Sequence, residues 1–163
     1  MATTYTPIAT TTLGSGQTSV TFSSISGTYT DLILIASASN TGGATNIRLQ
    51  FNGDTATNYS STRIYGDGSS ATSDRTTSAV SMPVGIIGQS TTEFGAFIMQ
   101  IQNYSNSTTN KTVLSRANYA SGYVTATVGL WRSTAAITSV LVNTSGADFS
   151  TGSTFTLYGV KSA

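Results

Sequence analysis

Asn46-Ile-Arg-Leu-Gln-Phe51 decides how this chain is read, because Ile47, Leu49 and Phe51 fall on one side of an extended backbone and Arg48 and Gln50 on the other. Side chains alternate across a strand with period two, so the hexapeptide is a half-buried strand. The period recurs at 124–131, where Val124, Ala126, Val128 and Leu130 oppose Thr125, Thr127 and Trp131. It recurs again at 154–158, where Phe155 and Leu157 oppose Thr154, Thr156 and Tyr158. Further strands are expected at 4–13, 19–22, 31–37, 60–65, 78–84, 93–102, 111–119 and 137–143. Segment 93–102 is apolar on both faces, Phe94, Ala96 and Ile98 against Phe97, Met99 and Ile101, which fits a central strand or one covered by a partner.

Gly14-Ser-Gly16, 40–43, Asn52-Gly-Asp54, Gly66-Asp-Gly68, Ser121-Gly122 and Ser145-Gly146 punctuate these strands as turns. No window carries a 3.6-residue apolar stripe with caps. The expected fold is one all-β domain over 1–163: an antiparallel two-sheet β-sandwich of about ten strands, jelly-roll-like, with almost no helix. Segment 66–78, rich in Ser, Thr and Gly, reads as a mobile loop.

Composition narrows the chemistry. The chain has no His and no Cys, and only 8% of its residues are charged, against about 25% in an ordinary domain. Ser-His-Asp and Cys-His arrangements, thiolate and histidine metal sites and disulfides are therefore excluded. Of the two lysines, Lys111 sits among Asn and Thr as at a loop edge and Lys161 near the end, so neither is expected to be an activated amine. Asp54, Asp67, Asp74 and Asp148 stand in Gly/Ser/Thr/Asn contexts and read as turn residues; weak calcium binding by the first three is the alternative. No cofactor is expected. Five N-x-Ser/Thr sequons, at Asn58, Asn103, Asn106, Asn110 and Asn143, are what a chain this rich in those residues produces by chance.

Seven basic and six acidic residues give a net charge of +1 without a basic stripe, which argues against nucleic acid. The longest apolar run, 32–36, is far below the ~20 residues of a spanning helix. With no signal-like N-terminus either, a soluble protein made in a cytoplasm is expected. Low charge also offers little resistance to association with further copies. Trp131, the one tryptophan, lies with Thr125 and Thr127 and precedes Arg132. The first reading is that a local bulge or the strand end turns the ring back over the core; because Trp and Arg are favoured binding anchors, a contact with another subunit or a sugar is the alternative. Tyr5, Tyr29, Tyr104 and Tyr123 are candidate sheet-edge aromatics.

Three stretches, TYTPIATTTLGSG at 4–16, LQFNGDTATNYSSTRIYGDG at 49–68 and FSTGSTFTLYGVKSA at 149–163, together with TYTDLILIAS at 28–37, resemble a family of small virion structural proteins of tailed bacteriophages, especially those of marine bacteria and cyanobacteria. The resemblance spans most of the chain and carries no catalytic motif. It implies a β-sandwich displayed on a virion, made in the host cytoplasm. The chain would be a capsid decoration protein whose partners are the major capsid protein, other virion proteins and copies of itself, as a trimer by analogy. The alternative is a tail or tail-fibre component that binds host-surface glycan or receptor, with Trp131, Arg132, Tyr65 and Tyr5 as contacts. Within the motif, Asn52-Gly53-Asp54 suits a tight turn.

Overall fold

The computed structural model describes residues 4–161, and among them every regular element is a strand. In chain order they are β1 (Tyr5–Thr12), β2 (Ser19–Phe22), β3 (Asp31–Ala38), β4 (Thr45–Phe51), β5 (Tyr59–Gly66) and β6 (Ala71–Ala79). They continue as β7 (Met82–Ile87), β8 (Gly95–Gln102), β9 (Lys111–Tyr119), β10 (Tyr123–Trp131), β11 (Val140–Thr144) and β12 (Thr154–Val160). Eight form one sheet, in the order β1-β12-β3-β8-β9-β10-β5-β6, and four form the other, β2-β11-β4-β7. All strand pairings are antiparallel. The two-sheet sandwich is as expected, while the unequal division does not establish a jelly roll.

The two layers share one core. Leu32, Leu34, Phe97, Met99, Ile101, Phe155 and Leu157 of the large sheet and Ile47, Leu49, Phe51, Val140 and Val142 of the small one are buried in it. The opening hexapeptide is thus β4, with its three apolar residues inward. The Asn52-Gly53 turn is of type I′: both central residues have positive φ (54° and 67°) and the Asp54 amide donates to the Phe51 carbonyl at 2.9 Å.

Three expectations are corrected. Segment 66–78 is not a mobile loop: after a short turn it is edge strand β6, paired with β5. Its Ser and Thr leave no apolar face to betray it, a composition that suits an edge. The strand expected at 78–84 is broken: β6, irregular at Ser78 with its φ of 51°, runs on to Ala79, and Val80 and Ser81 turn the chain before β7 begins at Met82.

The third correction concerns phase. In β10 the threonines point inward: Thr125 and Thr127 are buried with Trp131, whereas Val124 and Val128 are more than half exposed. The cause is the layer beneath. A Cβ added to Gly85 of β7 would lie 2.5 Å from the Ala117 Cβ of β9, and one added to Gly129 of β10 would lie 2.1 Å from the Met82 sulfur. β7 therefore approaches β9 and β10 too closely for large side chains, and small ones fill the gap. The Ser115 hydroxyl donates to the Val84 carbonyl across it, and Thr125 donates to the Ala117 carbonyl at 3.5 Å. Around Gly85 the inside is thus taken by small residues and Leu114, Val124 and Val128 face out, while Val113 and Trp131 stay in the core toward the other end of these strands.

Candidate functional site

Five of the seven large hydrophobic residues exposed among the described residues lie on one surface, the outer face of the large sheet: Ile35 on β3, Leu114 on β9, Val124 and Val128 on β10, and Ile64 on β5. Ladder register places them in rows. One runs Ile35, Ile98, Arg116, Ala126, Ile64 across five adjacent strands. The next runs Ile33, Gln100, Leu114, Val128, Thr62. On the other side of the first row, toward Ala96, Asn118 and Val124, the face sinks into a depression of about 840 Å³, lined among others by Ile64, Ala96, Ile98, Arg116, Val124 and Ala126. A contiguous apolar face of this kind marks an interaction surface, because singly scattered exposed apolar residues are ordinary and clustered ones are not. Arg116 is the charge at its centre. The one ion pair among the described residues joins Arg63 to Asp74, so Arg116 has no carboxylate of its own.

A second, smaller cleft of about 160 Å³ opens beside β5, lined by Thr45, Asn46, Arg63, Tyr65, Ile86 and Tyr123 among others. The Tyr65 and Tyr123 rings are 6.3 Å apart at 57°, and the Arg63 guanidinium lies 5.1 Å from the centre of the Tyr65 ring. That guanidinium is fixed in place. Its Nε donates to both Asp74 carboxylate oxygens at 2.9 and 3.0 Å, Nη2 donates to Oδ2 at 2.7 Å, and Nη1 donates to the Asn46 amide oxygen at 2.5 Å. Asp74, read as a turn residue, is instead the mid-strand partner that holds Arg63. Tyrosine faces beside a pinned cation and amides form a polar, aromatic cleft.

The four residues singled out from the sequence do not come together. Trp131 is only 2% exposed, stacked at 13° on Tyr59, with its indole Nε1 donating to Asp54 Oδ2 at 2.6 Å. Its ring belongs to the core, which removes it as a surface contact. Arg132 is exposed, and donates to the Ser60 hydroxyl and the Asn58 carbonyl at 3.0 and 3.4 Å. Tyr5 is 56% exposed on edge strand β1, near the opposite end of the sheet from Tyr65 on β5. Of the other tyrosines, Tyr104 is fully buried.

The Asn-Gly-Asp motif is a structural knot. Asp54 accepts from the Asn58 side chain at 2.9 Å, from Trp131 and from the Ala56 amide at 2.9 Å. The Asn58 and then the Trp131 bond, the two largest effects, hold its carboxyl below the ordinary range. Asn52 Oδ1 caps the Thr138 and Ser139 amides at 2.8 and 3.1 Å, so residues 137–139, expected to begin a strand, are tied down by a side chain before β11 starts at Val140. Lys111 departs from its loop-edge reading. It is fully buried at the start of β9, Nζ donates to the Thr109 and Thr134 carbonyls at 2.7 and 3.1 Å, and burial pushes its pKa down. Asp67 does serve its turn, accepting from the Ser69 and Ser70 amides. No group of three or more carboxylates that could hold a metal ion occurs among the described residues.

Sequence reasoning missed Val124 and Val128 as surface residues because it placed the aliphatic face of 124–131 inside, and it missed Ile64 and Leu114 because they share that face only through the ladder to β10. Two signals pointed at them. Segments 32–36 and 93–102 are apolar on both faces, and strands buried on one side alone in an alternating chain have no need of a second apolar face. The sequence matches no model of a known protein family, and it matches no curated protein.

Proposed function

We propose that this chain is a non-enzymatic structural protein of a bacteriophage virion, a decoration protein that binds the outside of an assembled capsid as a homo-oligomer and stabilises it. The observation that carries the reading is the outward apolar face of the large sheet, a surface built to be covered, on a chain with no histidine, no cysteine and few charges. The resemblance of its motifs to those of small phage virion proteins supports the virion. In this reading the chain acts by mass action: a protein that binds only the assembled shell stabilises it by RT ln(1 + [L]/Kd), so many weak sites on one particle add up. Counting copies per purified virion by quantitative mass spectrometry against the major capsid protein tests it. Hundreds of copies are expected, and virions without the chain would end the proposal.

A second reading, a tail component that recognises host-surface glycan, is favoured by the Tyr65–Tyr123 cleft. Tyrosine rings and fixed polar groups are what a pyranose uses for stacking and hydroxyl bonds. It calls for a few dozen copies per particle or fewer, and for loss of glycan-array binding in Tyr65→Ala.

A further inference from the structure

The outer face of the large sheet needs an occupant, and we propose that the occupant is the same face of a second copy, paired about a two-fold axis along the seam between β9 and β10. The inference deepens the homo-oligomer of the proposed function and rests on that part of it. Three observations choose a second copy.

The first is size. The six strands from β3 to β6, at about 4.8 Å apart and about seven residues long, span roughly 29 by 23 Å. Side chains raise the accessible area of such a face above its plane, to the roughly 800 Å² per partner that a stable complex uses. The second is charge: across these six strands the two rows carry no carboxylate, and their only cations are Arg116 and, on β6 at the margin, Arg75, so the face is otherwise neutral and suits a neutral apolar partner.

The third is the register. The exposed aliphatic residues are centred on β9 and β10, and a two-fold along that seam exchanges β9 with β10 and β8 with β5. Residues that are ladder neighbours within one copy then face each other between copies. Leu114 meets Val128, Ile98 meets Ile64, and the long stem of Arg116 lies over the small Ala126, each contact made twice. Apolar on apolar at two of these contacts and large on small at the third, repeated by the axis, is the self-complementarity an isologous interface requires.

Sedimentation velocity of the full-length purified chain over a concentration series tests this. A mass of twice the 16.8 kDa of one chain is expected. The double variant Ile64→Lys/Val124→Lys alters two positions that are each 63% exposed, so the monomer keeps its fold, as a cooperative thermal transition checks. It is expected to weaken association at least about a hundredfold, through two buried charges per copy. Thr21→Lys, on the exposed outer side of β2 in the small sheet, is expected to leave association unchanged. A monomer at every concentration, a three-copy mass, or a dimer broken by Thr21→Lys and spared by the double variant would overturn the pairing. So would a monomer that binds the apolar dye anilinonaphthalene sulfonate and loses it in the double variant, since the face would then belong to a small apolar ligand. Because no virion enters the experiment, a dimer absent from virions ends the decoration reading alone, and a monomer abundant on virions ends this inference alone.

Discussion

Strands β3 and β8 and strands β9 and β10 lie side by side in one sheet, yet they bury opposite kinds of side chain. β3 and β8 turn Leu32, Leu34, Phe97, Met99 and Ile101 inward. Apart from Val113 and Trp131, which stay in the core, β9 and β10 turn Ser115, Ala117, Thr125, Thr127 and Gly129 inward and send Leu114, Val124 and Val128 out. The difference is the distance to the opposing layer. Under β9 and β10 runs β7, with all six residues buried and its backbone close enough at Gly85 that a Cβ would collide with Ala117. Which side chain a strand buries is set by the room across the core as well as by hydropathy. Where the room is small, hydroxyls and glycines take the inside and the aliphatic residues are left for a partner.

The contrast is broken most directly by two leucines. Leu34→Ala, on the inner face of β3, is expected to cost about 2–5 kcal/mol in chemical denaturation, as large-to-small changes in a core do. Leu114→Ala, on the outer face of β9, is expected to stay within about 0.5 kcal/mol when measured dilute enough to exclude association. Equal losses would mean that the outer face is packed within a single copy.

Gly85→Val sharpens the claim about layer spacing. The new side chain has nowhere to go against Ala117, so destabilisation of about 1–3 kcal/mol by overpacking is expected from the same denaturation curves. An unchanged midpoint would show that β7 can lift off β9 without penalty, and the account of the inward threonines would fail.

The smallest effect belongs to the knot at the end of the sandwich. Asp54 titrates below its ordinary 3.8 because Asn58 and Trp131 donate to the charged form. The folded state therefore binds that proton more weakly than the unfolded one. The stabilisation is complete above the unfolded value and is lost as pH falls through the lower folded value. Melting midpoints recorded from about pH 5 down to about pH 3 are expected to fall a few degrees more in the wild type than in Asp54→Asn. Parallel curves would show that the carboxylate contributes nothing beyond its turn.

Much of this fold was legible in residue order. The alternation of Ile47, Leu49 and Phe51 placed β4 correctly with its faces, and Asn52-Gly53 marked the type I′ turn that follows. β6 was not legible, since an edge strand polar on both sides has the composition of a loop and is held by its pairing to β5 and by the Arg63–Asp74 ion pair. Trp131 was placed with the right neighbours, Thr125 and Thr127, on the wrong side. The candidate face was half legible: the doubly apolar segments 32–36 and 93–102 announced that something covers this sheet, while Ile64 and Val124 emerged only from the ladder that aligns them.

By itself the sequence determined that this chain is an all-β sandwich without histidine or thiol chemistry, because strand periodicity and composition are local properties written residue by residue. Only the tertiary structure decided which side of β9 and β10 faces water and where an apolar face remains open. That choice depends on how closely β7 approaches from the other layer, a distance set by Gly85, Gly129 and Ala117 together, residues far apart in the chain.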